Sequence, residues 1–335
     1  MARPGSLNSL CDVAGLTVGC AEDAVALTGV TVIVPESRAV CAVDVRGGGP
    51  GTRETDVLTP GAIADAVDAL VLSGGSVYGL AAADGVAAMM GAEGKGFGLV
   101  QLPGVPPSPI VPSAILYDLA NGGAKNWGDA PPYAALGRKA YASRTARVPL
   151  GNAGAGMGAT AGAVKGGQGS ASVVSADGYT VAALACVNSF GATTMPGSRA
   201  FWAWPFEMDG EFGGVKPDAT THAAAEDWDG AKLNPQSRTN TTLVCVATDA
   251  TLTPVEAERV AQMASAGLAR AIRPVFAPFD GDVVFALSTA AKPLSEPKPL
   301  AIARIGAMAA DCVARAVARG VYEAAPVGIH KAWCG

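Results

Sequence analysis

Residues 238–248 read Arg-Thr-Asn-Thr-Thr-Leu-Val-Cys-Val-Ala-Thr, so a short polar run comes directly before an apolar stretch. The apolar part is typical of a buried β-strand. A threonine at the start of such a strand is also placed to cut its own chain. The Thr241 hydroxyl would attack the Asn240 carbonyl carbon, the acyl group would move from nitrogen to oxygen, and water would release a chain beginning at Thr241. The residues alone leave two interpretations open, a self-cleavage site or an ordinary strand start.

Cleavage would make Thr241 both a nucleophile and its own base. An α-amine titrates at ~7.7–8.0 in model compounds, so much of it is neutral near pH 7 and can take the hydroxyl proton. Such a site needs no histidine. The chain has only two histidines, His222 and His330, so few imidazole groups are available for a Ser-His-Asp triad or a zinc site. We therefore expect neither a metal nor an organic cofactor.

The composition describes a well-packed globular protein. Of 335 residues, 50% are hydrophobic and 16% are charged, and the net charge is −5. An acidic chain lacks the basic surface that sequence-independent nucleic-acid binding requires. No apolar run reaches the length of a membrane span, and the first residues lack the core of a secretory signal. We expect a cytoplasmic protein with no nucleic-acid or membrane partner. Its seven scattered cysteines are expected to be reduced core residues.

The first half of the chain reads as strands followed by mixed elements. β-Branched runs near residues 16–18, 28–34 and 39–43 predict an opening antiparallel or mixed sheet. Glycines at 74 and 75 suit a strand-to-helix turn between two alanine-rich stretches, 61–71 and 76–91. A strand is predicted at 114–118 and a helix near 131–144. The glycine-alternating run 151–162 matches a dinucleotide loop only loosely, and close backbone packing explains it better.

The second half has a clearer pattern. A buried strand is predicted at 182–187, ending at Asn188, and residues 200–240 lack periodicity and are predicted to form an exposed connector. After the cleavage site come a strand at 242–248, a helix from a Thr253 capping box to about Ile272, a strand over 280–287 and a helix near 298–319.

Several motifs, in this order along the chain, resemble those of the DmpA family of self-processing amidohydrolases. That family includes L-aminopeptidase/D-Ala-esterases, β-aminopeptidases and nylon-oligomer hydrolases. The matching segments are residues 12–19, 73–80, 114–118, 154–156, 165–167, 240–242 and 280–282. The resemblance implies an α/β fold, a four-layer α/β/β/α sandwich of the N-terminal-nucleophile type. Fragment 1–240 and fragment 241–335 would share one core, and processed heterodimers would form a homo-oligomer such as a tetramer.

The resemblance also assigns roles to individual residues. Thr241 would be the nucleophile, and the Asn188 side-chain amide would stabilise the tetrahedral oxyanion. Asp280 and Asp282 match a carboxylate pair near the new amine, and their i, i+2 spacing on an extended segment places both on one face. Tyr117 matches a tyrosine that lines the site. From the residues alone, Asn188 could instead be a strand-ending asparagine that caps a turn, and an Asp-Gly turn at a strand start explains the two aspartates equally well. A half-buried core tyrosine explains Tyr117 better than a site role does.

The sequence departs from this pattern at a lysine. Nylon-oligomer hydrolases carry a site lysine where Ala163 stands here, and this chain has Lys165 two positions later. On an extended strand a two-residue step keeps the same face, so Lys165 is expected to supply the same cation.

Together, these expectations predict an amide hydrolase that acts through an acyl-enzyme. Its substrates would be small amides: short peptides, amino-acid amides or aminohexanoate oligomers of the nylon-6 type. Two alternatives remain, an acyltransferase on a similar self-cleaving threonine scaffold and an uncleaved ligand-binding protein.

Overall fold

Two five-stranded sheets stack face to face, with helices covering both outer faces. The structure is a computed structural model, and it describes residues 2–100, 102–223, 228, 230–232 and 240–334. Arg238 and Thr239 of the opening stretch, and parts of the connector, lie outside the described residues.

The first sheet has the strand order β1-β2-β5-β6-β4. Its strands are β1 (Leu16–Asp23), β2 (Thr28–Pro35), β4 (Thr52–Arg53), β5 (Leu70–Ser73) and β6 (Ser113–Ile115). β1 pairs with β2 and β2 pairs with β5 in antiparallel fashion, whereas β5 and β6 run parallel. The first two β-branched runs thus lie in one mixed sheet, but the run near residues 39–43 lies in the second sheet, so the prediction that all three open one sheet is wrong. Helices α1 (Ala81–Ala92) and α2 (Tyr133–Ala142) pack on its outer face.

The second sheet has the order β3-β12-β11-β10-β9 and contains the opening stretch. Its strands are β3 (Val40–Val45), β9 (Gly167–Val174), β10 (Thr180–Asn188), β11 (Thr241–Ala250) and β12 (Val283–Lys292). Helices α3 (Pro254–Ala264), α4 (Ala266–Ala271) and α5 (Lys298–Tyr322) cover its outer face. A two-residue hairpin pairs β7 (Thr160–Ala161) with β8 (Val164–Lys165).

Apolar side chains point alternately to the two faces of β11, which explains why its sheet packs against both the first sheet and the helices. Leu243 and Cys245 face the first sheet, whereas Val244 and Val246 face the helices, because successive side chains point to opposite faces of a strand. All ten residues of β11 are buried. The predicted four-layer sandwich is thereby confirmed, and residues from both sides of the predicted cut share one core.

The second half of the chain also differs in places from the sequence predictions. The helix expected from residue 254 to 272 is two helices, because the chain bends at Ser265, whose hydroxyl bonds both the Ala261 carbonyl and the Asp44 carboxylate. The connector is not exposed at its start. Phe201 and Phe212 are each 1% exposed and contact each other edge to face. Burial of these two aromatic rings stabilises the segment against the core, although its sequence has no periodic pattern.

The glycine run 151–162 serves close packing, as expected. A Cβ on Gly154 would lie 2.0 Å from the Thr31 hydroxyl oxygen, and one on Gly156 would lie 2.3 Å from the Gln168 backbone nitrogen. Side chains at these positions would therefore separate the run from both sheets. No helix among the described residues is long and apolar enough to cross a membrane.

A buried network of charged and polar groups connects α5 to segments that precede the predicted cleavage site. The Arg315 guanidinium donates to Glu211 Oε2 at 3.0 Å, to the Ser172 carbonyl at 2.8 Å and to Asn8 Oδ1 at 2.9 Å. Arg315 is 1% exposed. The network therefore joins fragment 241–335 to three separate segments of fragment 1–240.

We expect Glu211→Ala to lower the free energy of unfolding by about 3–5 kcal/mol, because it leaves a buried guanidinium without its anion. Urea unfolding followed by circular dichroism measures this change. Glu36→Ala removes an exposed carboxylate and is the matched control. Equal stability of the two variants would contradict this account of the network.

Candidate active site

The sheet register brings Asn188 and Thr241 side by side. The two are Cα partners at the ends of the antiparallel strands β10 and β11. Asn240 forms a parallel bridge with Asp280, just before β12. Four of the residues predicted from the sequence thus meet at one end of the second sheet, with Asp282 two positions beyond Asp280.

The peptide carbonyl of Asn240 is contacted by two donors. The Gly281 backbone N–H donates to the Asn240 oxygen at 2.9 Å, and the Thr241 hydroxyl donates to the same oxygen. Asn240 and Thr241 are 1% and 3% exposed. The hydroxyl therefore lies beside the carbonyl group that it would attack, shielded from bulk water. Gly281 was not singled out by sequence reasoning, although its place between two aspartates was a signal.

The two aspartates are buried and bonded to backbone amides. Asp282 Oδ1 accepts from the Thr242 N–H at 2.7 Å, and Asp280 Oδ2 accepts from the Ala277 N–H at 3.0 Å. Burial raises the pKa of both carboxyl groups, and the charge of Asp280 raises that of Asp282 further. A raised carboxyl pKa makes the pair a stronger proton acceptor when ionised.

The Asn188 amide is held by partners on both ends. Its Oδ1 accepts from the Thr160 backbone N–H at 2.9 Å, and its Nδ2 donates to the Tyr117 carbonyl at 2.9 Å. Tyr117 thus contacts the site through its backbone, and it also lines the adjacent cavity.

Lys165 is not in contact with these groups. Its buried ammonium donates to the carbonyls of Gly156 and Gly166 at 2.9 and 2.8 Å. Burial lowers the pKa of Lys165 to about 7, and the only charge that raises it is that of Asp118. It is linked to the site through Thr160, its partner in the β7–β8 hairpin. Ala163, where the family resemblance places a lysine, lines the adjacent cavity, whereas the Lys165 ammonium contacts Gly156 and Gly166 instead.

A second lysine contacts Asn188 directly. Lys232, on the connector, donates to Asn188 Oδ1 and to the Asn188 carbonyl, both at 3.2 Å. Burial lowers the pKa of Lys232 to about 7, whereas the charges of Asp280 and Asp282 raise it. Sequence reasoning missed Lys232 because it lies in a segment without periodicity or a recognised motif.

A cavity of about 610 Å³ opens beside Asn188. Its charged and titratable lining groups include Asp118, Lys232 and His330. Burial raises the pKa of Asp118 to about 6, and its oxygens accept from the Thr28 hydroxyl and the Gly75 N–H. Burial and the two lysine charges lower the pKa of His330. The full lining is Tyr117, Asp118, Ala120, Asn121, Gly158, Thr160, Gly162, Ala163, Asn188, Ala231, Lys232, Ile329 and His330.

Neither a metal site nor a reactive thiol is apparent in the part of the chain described. No group of three or more His, Cys, Asp or Glu side chains there could hold a metal ion. All seven cysteines are free, and Cys41, Cys186, Cys245 and Cys312 are buried, as expected, whereas Cys334 is exposed. Burial raises the pKa of Cys312 to about 12, so it stays a thiol at neutral pH.

Comparison with known proteins identifies close relatives over nearly the whole chain. Residues 8–332 match the model of peptidase family S58. The chain is 42% identical to an uncharacterized aminopeptidase of Mycobacterium bovis, over 96% of this chain and 95% of that protein. It is 30% identical to a 6-aminohexanoate-oligomer endohydrolase of Kocuria sp., over 83% of this chain and 74% of that protein.

Two solved structures share the fold. A Burkholderia sp. beta-aminopeptidase superimposes with a TM-score of 0.72 at 23% identity, covering 100% of this chain and 93% of that one. The L-aminopeptidase D-Ala-esterase/amidase from Ochrobactrum anthropi, described as a variant of the Ntn hydrolase fold, superimposes with a TM-score of 0.71 at 21% identity, covering 98% and 90%.

Proposed function

Because the chain belongs to peptidase family S58 and is an amide-bond hydrolase with an Ntn-hydrolase fold, we propose that it cuts its own Asn240–Thr241 bond and then hydrolyses small amides with the freed Thr241. The observation that carries the proposal is the pair of donors on the Asn240 carbonyl oxygen, the Gly281 N–H and the Thr241 hydroxyl.

The proposed cleavage proceeds in two steps. In the first, the Thr241 oxygen bonds to the Asn240 carbonyl carbon, its proton passes to the Asp280–Asp282 pair, and the Gly281 N–H stabilises the oxyanion. The C–N bond then breaks, and the amine nitrogen takes the proton back, leaving an ester. In the second step, water adds to the ester, which releases the Asn240 carboxyl group and a free Thr241 hydroxyl.

Asp280 is the better placed of the two acids to take that proton. Its Oδ1 is buried and has no hydrogen-bond partner in the described part of the chain. The Ala277 and Phe190 backbones and the Lys232 charge lower the pKa of this carboxyl group, against the larger effect of burial. Asp282 has both oxygens bonded, to the Thr242 and Phe276 amides, so it holds the turn around Thr241.

Hydrolysis of a substrate repeats this chemistry with Thr241 as the N-terminal residue. Its α-amine takes the hydroxyl proton, the oxygen attacks the substrate carbonyl, and the leaving amine departs with that proton. Water then cleaves the acyl-enzyme. In this reaction Asn188 Nδ2 is the proposed oxyanion donor, which requires the substrate oxygen to replace the Tyr117 carbonyl as its partner. The ionised aspartates stabilise the Thr241 ammonium that forms.

The proposed substrates are short peptides, amino-acid amides and aminohexanoate oligomers. A cavity of about 610 Å³ suits a small ligand rather than a folded protein. Two relatives, an aminopeptidase and a 6-aminohexanoate-oligomer endohydrolase, support this range. Incubation of the processed protein with amino-acid p-nitroanilides and with a linear aminohexanoate trimer tests it. Release of free acid is expected; transfer of the acyl group to added hydroxylamine in preference to water would indicate an acyltransferase instead.

We expect Asn188→Ala to lower kcat by about 10²–10³-fold with little change in KM, because it removes a donor used mainly in the transition state. Steady-state kinetics on the processed protein measures both constants. Thr160→Ser, which keeps the backbone N–H bonded to Asn188, is the matched control. A large rise in KM at unchanged kcat would assign Asn188 to substrate binding instead.

We further propose that processed heterodimers assemble into a cytoplasmic homo-oligomer. The acidic composition and the free cysteines are in keeping with this location, and the family resemblance supports the assembly. Light scattering of the processed protein measures its molar mass, and a mass of one 33.3 kDa chain would contradict the assembly.

A further inference from the structure

The connector segment that carries Lys232 is docked firmly against the active site. The Lys232 backbone N–H donates to the Phe190 carbonyl at 3.0 Å, and the Ala163 N–H donates to the Gly230 carbonyl at 2.8 Å. Phe190 also packs edge to face on Trp228, with ring centroids 5.7 Å apart. These contacts do not involve the Asn240–Thr241 bond, so cleavage leaves them in place.

The Lys232 ammonium fixes the orientation of the Asn188 side-chain amide, with Oδ1 toward the ammonium and Nδ2 toward the Tyr117 carbonyl. Oδ1 is contacted by three donors, the Lys232 ammonium at 3.2 Å, the Thr160 N–H at 2.9 Å and the Thr160 hydroxyl at 3.3 Å. An amide rotated by 180° would turn its NH₂ group toward all of these donors. The ammonium is the one cation among them, and hydrogen bonds from a charged donor are roughly twice as strong as neutral ones.

The same ammonium interacts electrostatically with the acid pair. The charged and titratable groups near it are Asp280 and Asp282, from the turn before β12, and His330, from the C-terminal turn. The Lys232 charge lowers the pKa of Asp280, opposing the effect of burial. Lys165 contacts neither aspartate, and its charge partner is Asp118. The cation that acts on the acid pair is therefore on the connector and not on the β7–β8 hairpin.

We propose that Lys232 is a positioning residue of this active site, which holds the Asn188 amide with Nδ2 as the donor and keeps the Asp280–Asp282 pair ionised. This inference rests on the proposed function of Thr241. It gives the segment 230–232 a lasting role, since the processed fragment 1–240 must keep Lys232 in place for the fragment 241–335 to turn over substrate.

The test compares Lys232→Met, Lys232→Arg and the control Lys216→Met, which removes an exposed lysine of the same connector. Lys232→Met is expected to lower kcat by about 10- to 100-fold, because a charged hydrogen bond to Asn188 is lost, while KM changes by less than about twofold. The control is expected to match the wild type.

The pH profile gives a readout that a loss of packing would not produce. The acid limb of kcat reports loss of a proton from the Thr241 amine and from the aspartate pair, and a nearby cation lowers the pKa of both. Without the cation the pair's pKa rises, so the acid limb of Lys232→Met moves to higher pH. Lys232→Arg keeps the charge and is expected to restore the limb. Lys232→Gln replaces Lys232→Met if the apolar side chain prevents folding, as judged by circular dichroism.

An unshifted acid limb, with kcat equal to that of Lys216→Met, would overturn the inference. Its failure is distinguishable from failure of the proposed function. If Thr241→Ala stays active, the proposed function is wrong. If Thr241→Ala is inactive and Lys232→Met behaves as the wild type, only the role of Lys232 is wrong.

Discussion

Thr241→Ala is expected to lose amide hydrolysis by about 10⁴-fold or more, because it removes the hydroxyl group proposed to form the acyl-enzyme. The loss is expected in kcat, with the folded structure unchanged, since the β11 backbone pairing does not depend on the hydroxyl. Hydrolysis of an amino-acid p-nitroanilide, followed by absorbance, measures the rate.

Thr241→Ser separates chemistry from folding. Serine keeps the hydroxyl and the neighbouring amine, so this variant is expected to retain both processing and measurable hydrolysis. Thr251→Ala, which alters an exposed threonine just beyond β11, is the matched control. Full activity of Thr241→Ala would exclude the threonine as nucleophile.

Gly281→Ala is expected to slow self-cleavage by about 10²-fold, so that the precursor accumulates. A Cβ at this position would lie 2.5 Å from Thr241 Oγ1 and 2.9 Å from the Gly49 carbonyl oxygen. The hydroxyl or the turn has to move, and the Gly281 N–H then leaves the Asn240 oxygen that it contacts at 2.9 Å. Removal of one oxyanion donor costs about this much in comparable hydrolases. A time course of denaturing gels after purification measures the rate of cleavage.

Gly49→Ala is the matched control for this substitution. Gly49 lies beside the same turn and donates to the Asp280 carbonyl at 2.7 Å. A Cβ there would meet its nearest atom at 3.6 Å, an ordinary contact. We expect Gly49→Ala to process normally. Equal cleavage of the two variants would show that the space beside the Thr241 hydroxyl does not limit the reaction.

The strands could be predicted from the sequence because their patterns are local, whereas the sheet that each strand joins could not, since β3 pairs with the distant β12. β-Branched runs located β1, β2 and β3, and the Thr253 capping box fixed the start of α3. The end of the helix could not be read, since the bend at Ser265 depends on Asp44, which is distant in sequence. The burial of Phe201 and Phe212 likewise depends on tertiary contacts that no local pattern records.

The candidate site was predictable where its residues lie on strands. Asn188 ends β10 and Thr241 begins β11, and antiparallel pairing then makes them neighbours. The spacing of Asp280 and Asp282 placed both carboxylates at the same buried turn. Lys232 and the Gly281 N–H escaped sequence analysis for different reasons. The lysine reaches the site from an irregular segment, and the position of Gly281 between two aspartates does not show where its backbone N–H points.

The most direct test of self-cleavage at Thr241 is the intact mass of the purified wild-type protein under denaturing conditions. We predict two species whose masses match fragments 1–240 and 241–335, with the smaller beginning at Thr241, and a single full-length species for Thr241→Ala. A wild-type chain that stays whole after prolonged incubation, or that is cut at another bond, would contradict the account.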